Sequence, residues 1–104
     1  LLDVAALMML PKGAIVINTA RGGIVDDVAL AAAVRSGHLA GAALDVFENE
    51  PLSTEDGQIF AGLDNVVLTP HIAGLTKESN ARVSDMTVQN VLQTLNDQQA
   101  QATE

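Results

Sequence analysis

Ala14-Ile15-Val16-Ile17-Asn18 is a run of β-branched apolar residues closed by an asparagine. Apolar side chains at consecutive rather than alternate positions suit a strand buried on both faces, the habit of strands in parallel sheets. Outward from this stretch the chain alternates helix and strand. Residues 1–10 are rich in Leu, Ala and Met, which favours a helix, and Pro11-Lys12-Gly13 stops it. On the other side a loop over residues 19–23 precedes Asp26, a residue type that caps helices. Leu30, Ala33 and Val34 then mark a buried stripe, and Gly37 stands where a C-terminal cap belongs. Residues 42–47 (Ala-Ala-Leu-Asp-Val-Phe) predict a second strand and residues 66–69 (Val-Val-Leu-Thr) a third. Gly74 leads into a last helix capped by Thr76, with Val88, Val91, Leu92 and Leu95 on one face. The polar residues 97–104 lack an apolar anchor and read as a frayed tail.

Strands separated by helices pair in parallel through right-handed crossovers, which places the chain in the α/β class with an open, doubly wound sheet. Three strands are few for such a sheet, and the first reads as an interior strand without its neighbour. An exposed apolar edge invites pairing, so the isolated chain is expected to self-associate along it. The chain also opens at Leu1-Leu2-Asp3, inside an expected helix and without an initiator Met, and so reads as a piece of something larger.

Composition narrows the function classes. With 104 residues there is room for one domain, and 48% apolar residues rule out a disordered chain. The net charge of −8 disfavours sequence-independent binding to nucleic acid or anionic lipid. Only Phe47 and Phe60 are aromatic, too few for a base-stacking platform. No apolar run approaches the ~18 residues of a membrane span. The absence of cysteine removes thiolate chemistry and fits a reducing cytoplasm.

In open parallel sheets, ligands bind outside the carboxyl ends of the strands. After the first strand come Thr19, Ala20 and Arg21; near the end of the second come Asp45, Glu48 and Glu50; after the third comes Pro70-His71. A guanidinium, carboxylates and an imidazole can meet there as a carboxylate clamp, a charge partner and a proton carrier. Each has a blander reading. His71 can simply bond backbone groups in a turn, and Arg21 can pair with Asp26 or Asp27 near a helix start. His38, in a turn after a helix, reads as a cation complementing the helix dipole. Asp45 is harder to dismiss, since a charge at the end of a buried strand is costly unless paired. The acidic stretch 45–56 lacks the ligand spacing of a calcium loop, so no metal site is expected. No G-x-G-x-x-G and no P-loop occurs, so this chain lacks the pyrophosphate grip of a dinucleotide site.

Three longer motifs carry a family resemblance. Ile17-Asn18-Thr19-Ala20-Arg21-Gly22-Gly23-Ile24-Val25-Asp26 resembles the arginine motif of the D-isomer-specific 2-hydroxyacid dehydrogenases. Leu39-Ala40-Gly41-Ala42-Ala43-Leu44-Asp45-Val46-Phe47-Glu48-Asn49-Glu50-Pro51 resembles their glutamate motif, and Asn65-Val66-Val67-Leu68-Thr69-Pro70-His71-Ile72-Ala73-Gly74 their histidine motif. The order and spacing are the family's. The resemblance implies a partial Rossmann-type sheet, with residues 1–96 as the C-terminal half of a dinucleotide-binding domain. It further implies an oxidoreductase moving a hydride between NAD and a small 2-oxo or 2-hydroxy acid, with NADP left open and the chain inactive alone.

By the same resemblance Arg21 holds the substrate carboxylate and carbonyl, His71 is the general acid–base, and Glu50 bonds and orients the imidazole. The cofactor-lining set is Thr19, Ala20, Arg21, Asp45, His71, Ala73 and Gly74. The formate dehydrogenases of the superfamily carry Gln in place of that Glu, so Glu50 favours 2-hydroxy acid chemistry. The superfamily's NAD(H)-sensing corepressors keep the same Arg, Glu and His, and remain the alternative. The implied assembly is a cytoplasmic homo-oligomer with no nucleic-acid or membrane partner.

Overall fold

A computed structural model describes residues 1–102, in two compact units: Leu1–Ala73, and the segment from Gly74 onward. The first unit contains α1 (Val4–Met8), β1 (Ile15–Asn18), α2 (Asp27–Arg35), β2 (Gly41–Leu44), α3 (Thr54–Gly57), a 3-10 turn (Gln58–Phe60) and β3 (Val66–Leu68). The three strands form one parallel sheet in the order β1-β2-β3, with Ile17 opposite Ala43 and Ala43 opposite Val67. This is the expected α/β arrangement.

Local chemistry sets the helix bounds. Asp26 accepts the N–H of Ala29 at 2.8 Å and starts α2. Gly37, at φ +75°, takes the left-handed position beyond its end. The first helix is shorter than its composition suggests. Asp3 caps it through the N–H of Ala6, and Leu2 is drawn into a parallel bridge with Val25, so residues 1–3 are not helical. The second strand ends at Leu44 rather than at residue 47, because Asp45 and the residues after it turn out of the ladder into the loop that follows.

Burial corrects the reading of the first strand. The face bearing Val16, Asn18, Ala42 and Leu44 is buried in a core with Leu7, Leu30, Val34, Leu39 and an edge-to-face pair of Phe47 and Phe60. The opposite face is not. Ile15 is 66% exposed, Ile17 69% and Val67 60%. An apolar run predicts that both faces can be covered, but in this unit helices cover only one.

His38 sits in the turn after α2. Its carbonyl accepts the N–H of Gly13 at 2.7 Å, and its Nε2 is buried with no hydrogen-bond partner among the described residues.

The second unit is dominated by α4 (Lys77–Ala102), which Thr76 caps through the N–H of Ser79. Helix continues past Asp97 through Ala102, where the sequence reading places a frayed tail. Good helix formers and a Gln93–Asp97 bond one turn apart, 2.8 Å long, account for the extension. Residues 103 and 104 of that tail lie outside the described residues. Among the described residues no helix is long and apolar enough to cross a membrane.

Candidate functional site

Three loops leave the carboxyl ends of the three strands. The first carries Arg21, and its shape is set by Asn18, the last residue of β1. The Asn18 side chain accepts the N–H of Ala20 and donates to the carbonyl of Arg21, both at 3.1 Å. Arg21 does not pair with Asp26 or Asp27. Its Nη1 donates to the Ala20 carbonyl at 2.6 Å and the side chain stays exposed, free to meet an anion.

The second loop carries Glu50. Its Oε1 accepts the N–H of Phe47 at 3.0 Å, which folds the side chain back over its own loop. Two residues of the first loop and of α2 hold that loop down. Asp27 Oδ2 accepts the N–H of Glu48 at 3.1 Å. Gly22 leaves no room for a side chain: a Cβ there would lie 1.8 Å from the Phe47 carbonyl oxygen. Burial pushes the Asp27 carboxyl up from its ordinary value, against the lowering effect of the Glu48 N–H.

The third loop carries His71, whose backbone takes a left-handed conformation at φ 55°. Asp45 fastens this turn. Its carboxylate accepts the Thr69 hydroxyl at 2.6 Å and the N–H groups of Ile72 and Ala73 at 2.9 Å each. These bonds, the Thr69 hydroxyl first, hold its carboxyl below the ordinary carboxylate value. The buried charge flagged in the sequence is therefore satisfied within the protein.

The loops meet at His71 and Glu50. His71 Nδ1 lies 2.7 Å from Glu50 Oε2. That bond, ahead of the Phe47 N–H, holds the Glu50 carboxyl below its usual value, and the charge of Arg21 acts in the same direction. The pair is partly open to solvent, with side-chain exposures of 46% and 33%. It borders a cavity of about 570 Å³ lined by Phe47, Pro51, Leu52, Leu68, Thr69 and Pro70 besides the pair itself. Thr69 also borders a second cavity of about 340 Å³, lined by Thr19, Ala43, Leu44, Asp45, Val67, Ile72 and Ala73. Gly74 follows Ala73 at the start of the second unit, with open space where a Cβ would be.

One loop thus presents an imidazole fixed by a carboxylate, and another an exposed guanidinium within electrostatic reach of that carboxylate. Comparison with known proteins identifies the family. The family description "D-isomer specific 2-hydroxyacid dehydrogenase, NAD binding domain" matches residues 1–73. The chain belongs to this family. It is 53% identical over 95 residues to the (S)-sulfolactate dehydrogenase of Chromohalobacter salexigens, covering 91% of this chain and 30% of that protein.

Among solved structures, the D-isomer specific 2-hydroxyacid dehydrogenase of Xanthobacter autotrophicus Py2, in complex with NADPH and MES, is 51% identical with a TM-score of 0.65. That match covers 72% of this chain and 23% of the other. The D-lactate dehydrogenase of Aquifex aeolicus, complexed with NAD and lactic acid, is 33% identical with a TM-score of 0.72, covering 91% and 32%. The chain therefore spans about a third or less of these dehydrogenases.

The second cavity fits one end of a dinucleotide. Its volume lies at the small end of the roughly 300–1,000 Å³ of ligand pockets. Its walls are mostly small and apolar, with Thr19, Thr69 and the Asp45 carboxylate as the polar members and no basic group, which suits a flat ring more than a phosphate. Asn18, Gly22 and Asp27 are absent from the sequence-derived set of site residues. The one local signal was an Asn at a strand end, a residue type that bonds its own backbone two residues on; the other two act through residues 47 and 48, far along the chain.

Proposed function

We propose that the protein carrying this chain interconverts a small 2-oxo acid and its D-2-hydroxy acid with NAD or NADP. This chain supplies the acid–base pair, the anion-binding arginine and the nicotinamide end of the cofactor pocket. The observation that carries the reading is the 2.7 Å contact between His71 Nδ1 and Glu50 Oε2 beside the two cavities. A carboxylate on Nδ1 fixes the ring and leaves Nε2 for substrate.

In reduction, His71 gives a proton from Nε2 to the substrate carbonyl oxygen; in oxidation it takes one from the hydroxyl. Arg21 holds the substrate carboxylate, for which a planar guanidinium is suited in shape and charge. When bound, the nicotinamide supplies or accepts the hydride. Thr19, Asp45 and Ala73 border the cavity that would hold its ring, with Ala20, Arg21 and His71 completing the proposed contact set. The names of the sulfolactate and D-lactate relatives support a 2-hydroxy acid as substrate. The cysteine-free composition supports a cytoplasmic location, and light scattering on the whole protein tests the homo-oligomer.

The test is turnover of the whole protein with NADH or NADPH and a panel of glyoxylate, pyruvate and sulfopyruvate. At least one is expected to be reduced, and His71→Gln to lower kcat by about 10²–10⁴-fold. Full turnover in that variant would overturn the reading. Negligible turnover of the unaltered protein, together with partner binding that changes with NADH, would favour a nucleotide-sensing module.

A further inference from the structure

We propose that Asn18 is a positioning residue for Arg21, setting the place of the guanidinium through the main chain of the turn between them. Asn18 is 6% exposed at the end of β1, so its amide must find partners inside the protein. It finds both in the turn: Oδ1 takes the N–H of Ala20 and Nδ2 gives to the carbonyl of Arg21, each at 3.1 Å. The main-chain carbonyl of Asn18 accepts the N–H of Asp45 at 3.0 Å, which fixes the base of the turn to the neighbouring strand end.

The guanidinium then folds back onto this same turn, Nη1 donating to the Ala20 carbonyl at 2.6 Å. A chain of contacts therefore runs from the amide of Asn18 through the Ala20 and Arg21 peptides to the charged head. The position needs one acceptor and one donor at a fixed reach. Asp offers no donor and would set a carboxylate against the Arg21 carbonyl, and Ser has a single, shorter hydroxyl.

The proposal rests on the reading that Arg21 holds the substrate carboxylate. Misplacing a binding group by 1 Å can cost about a hundredfold. Losing the donor to Arg21 should therefore weaken substrate binding without removing the proton carrier, which stands on another loop.

A double-mutant cycle in the whole protein tests it. The variants are Asn18→Asp, Arg21→Ala and the two combined, with Asn18→Ser as a second probe should the aspartate variant fold poorly. The readouts are KM and kcat for the 2-oxo acid turned over best, and the Kd of oxamate, an unreactive 2-oxo acid analogue, by calorimetry. Asn18→Asp is expected to raise KM and the oxamate Kd roughly tenfold to a hundredfold, with a smaller change in kcat. In the Arg21→Ala background the same substitution is expected to add nothing, because its effect is routed through that side chain. An equal effect in both backgrounds, or none in the first, overturns the proposal. If Arg21→Ala alone leaves oxamate binding intact, the assignment of Arg21 itself fails, and that result is distinct from failure of the Asn18 link.

Discussion

The two faces of the sheet are built from the same residue types and fare differently. Val16, Ala42 and Leu44 are buried in the core that also holds Leu30 of α2, whereas Ile15, Ile17 and Val67 on the opposite face are more than half exposed. Position alone separates Ile17 from Val16: successive side chains point to opposite faces, and only one face is covered in this unit. An apolar run thus states what a strand can tolerate, and what packs on it decides burial. The candidate site occupies the ends of these strands, and side-chain hydrogen bonds tie its loops to one another.

Core truncation should break the comparison most sharply. Leu30 is 0% exposed in α2. Leu30→Ala is expected to cost about 2–5 kcal/mol of unfolding free energy. Ile17→Ala, if its face is as open in the whole protein as here, should stay within about 1 kcal/mol. Urea unfolding of both variants measures the difference. A large cost at Ile17 would mean that another part of the protein covers the open face.

A second substitution strikes the joint between two site loops. Gly22→Ala places a methyl 1.8 Å from the Phe47 carbonyl oxygen, so the backbone carrying Glu50 must move. Overpacking of this kind costs about 1–3 kcal/mol. The loss of kcat/KM is expected to exceed the loss of stability, because the displaced loop orients His71. Gly23→Ala is the control for space: nothing lies within 4 Å of a Cβ there, although its φ of +77° strains any side chain. Unaltered kinetics in Gly22→Ala would show that the joint does not position the pair.

Smaller effects should appear in the acid limb of stability. Asp45 and Glu50 have folded carboxyls below their ordinary values of 3.8 and 4.5. Their contribution is present above those values and is lost as pH falls through the lower folded ones. Asp45→Asn and Glu50→Gln should therefore flatten the decline of stability below about pH 4. Asp27 has the opposite sign. Its folded carboxyl is raised above 3.8, so its contribution is present in acid and is lost as pH rises through the folded value. Asp27→Asn keeps an oxygen for the Glu48 N–H and should be neutral or mildly stabilising at pH 7. Unfolding curves from pH 2 to pH 7 would check all three.

How much of this the sequence disclosed follows from the range of each interaction. The helix caps at Asp26, Gly37 and Thr76 were legible because their partners lie within one turn. The parallel sheet was legible from the alternation of helix and strand. Arg21, Glu50 and His71 stood out as chemistry-bearing residues at strand ends, and the structure joins His71 to Glu50 directly. The Asp45 carboxylate could be seen to need partners, but that these were Thr69, Ile72 and Ala73 depended on how the third strand lies beside the second. Gly22 and Asp27 were opaque for the same reason, since both act on a loop more than twenty residues away. The short first helix was missed because the bridge from Leu2 to Val25 is a tertiary contact.

The most direct test is a crystal structure of the whole protein with NADH and oxamate. The account predicts the oxamate carboxylate on the Arg21 guanidinium and its carbonyl oxygen within about 3 Å of His71 Nε2, with Glu50 still on Nδ1. An oxamate bound away from Arg21, or an imidazole turned from Glu50 in that complex, would contradict it.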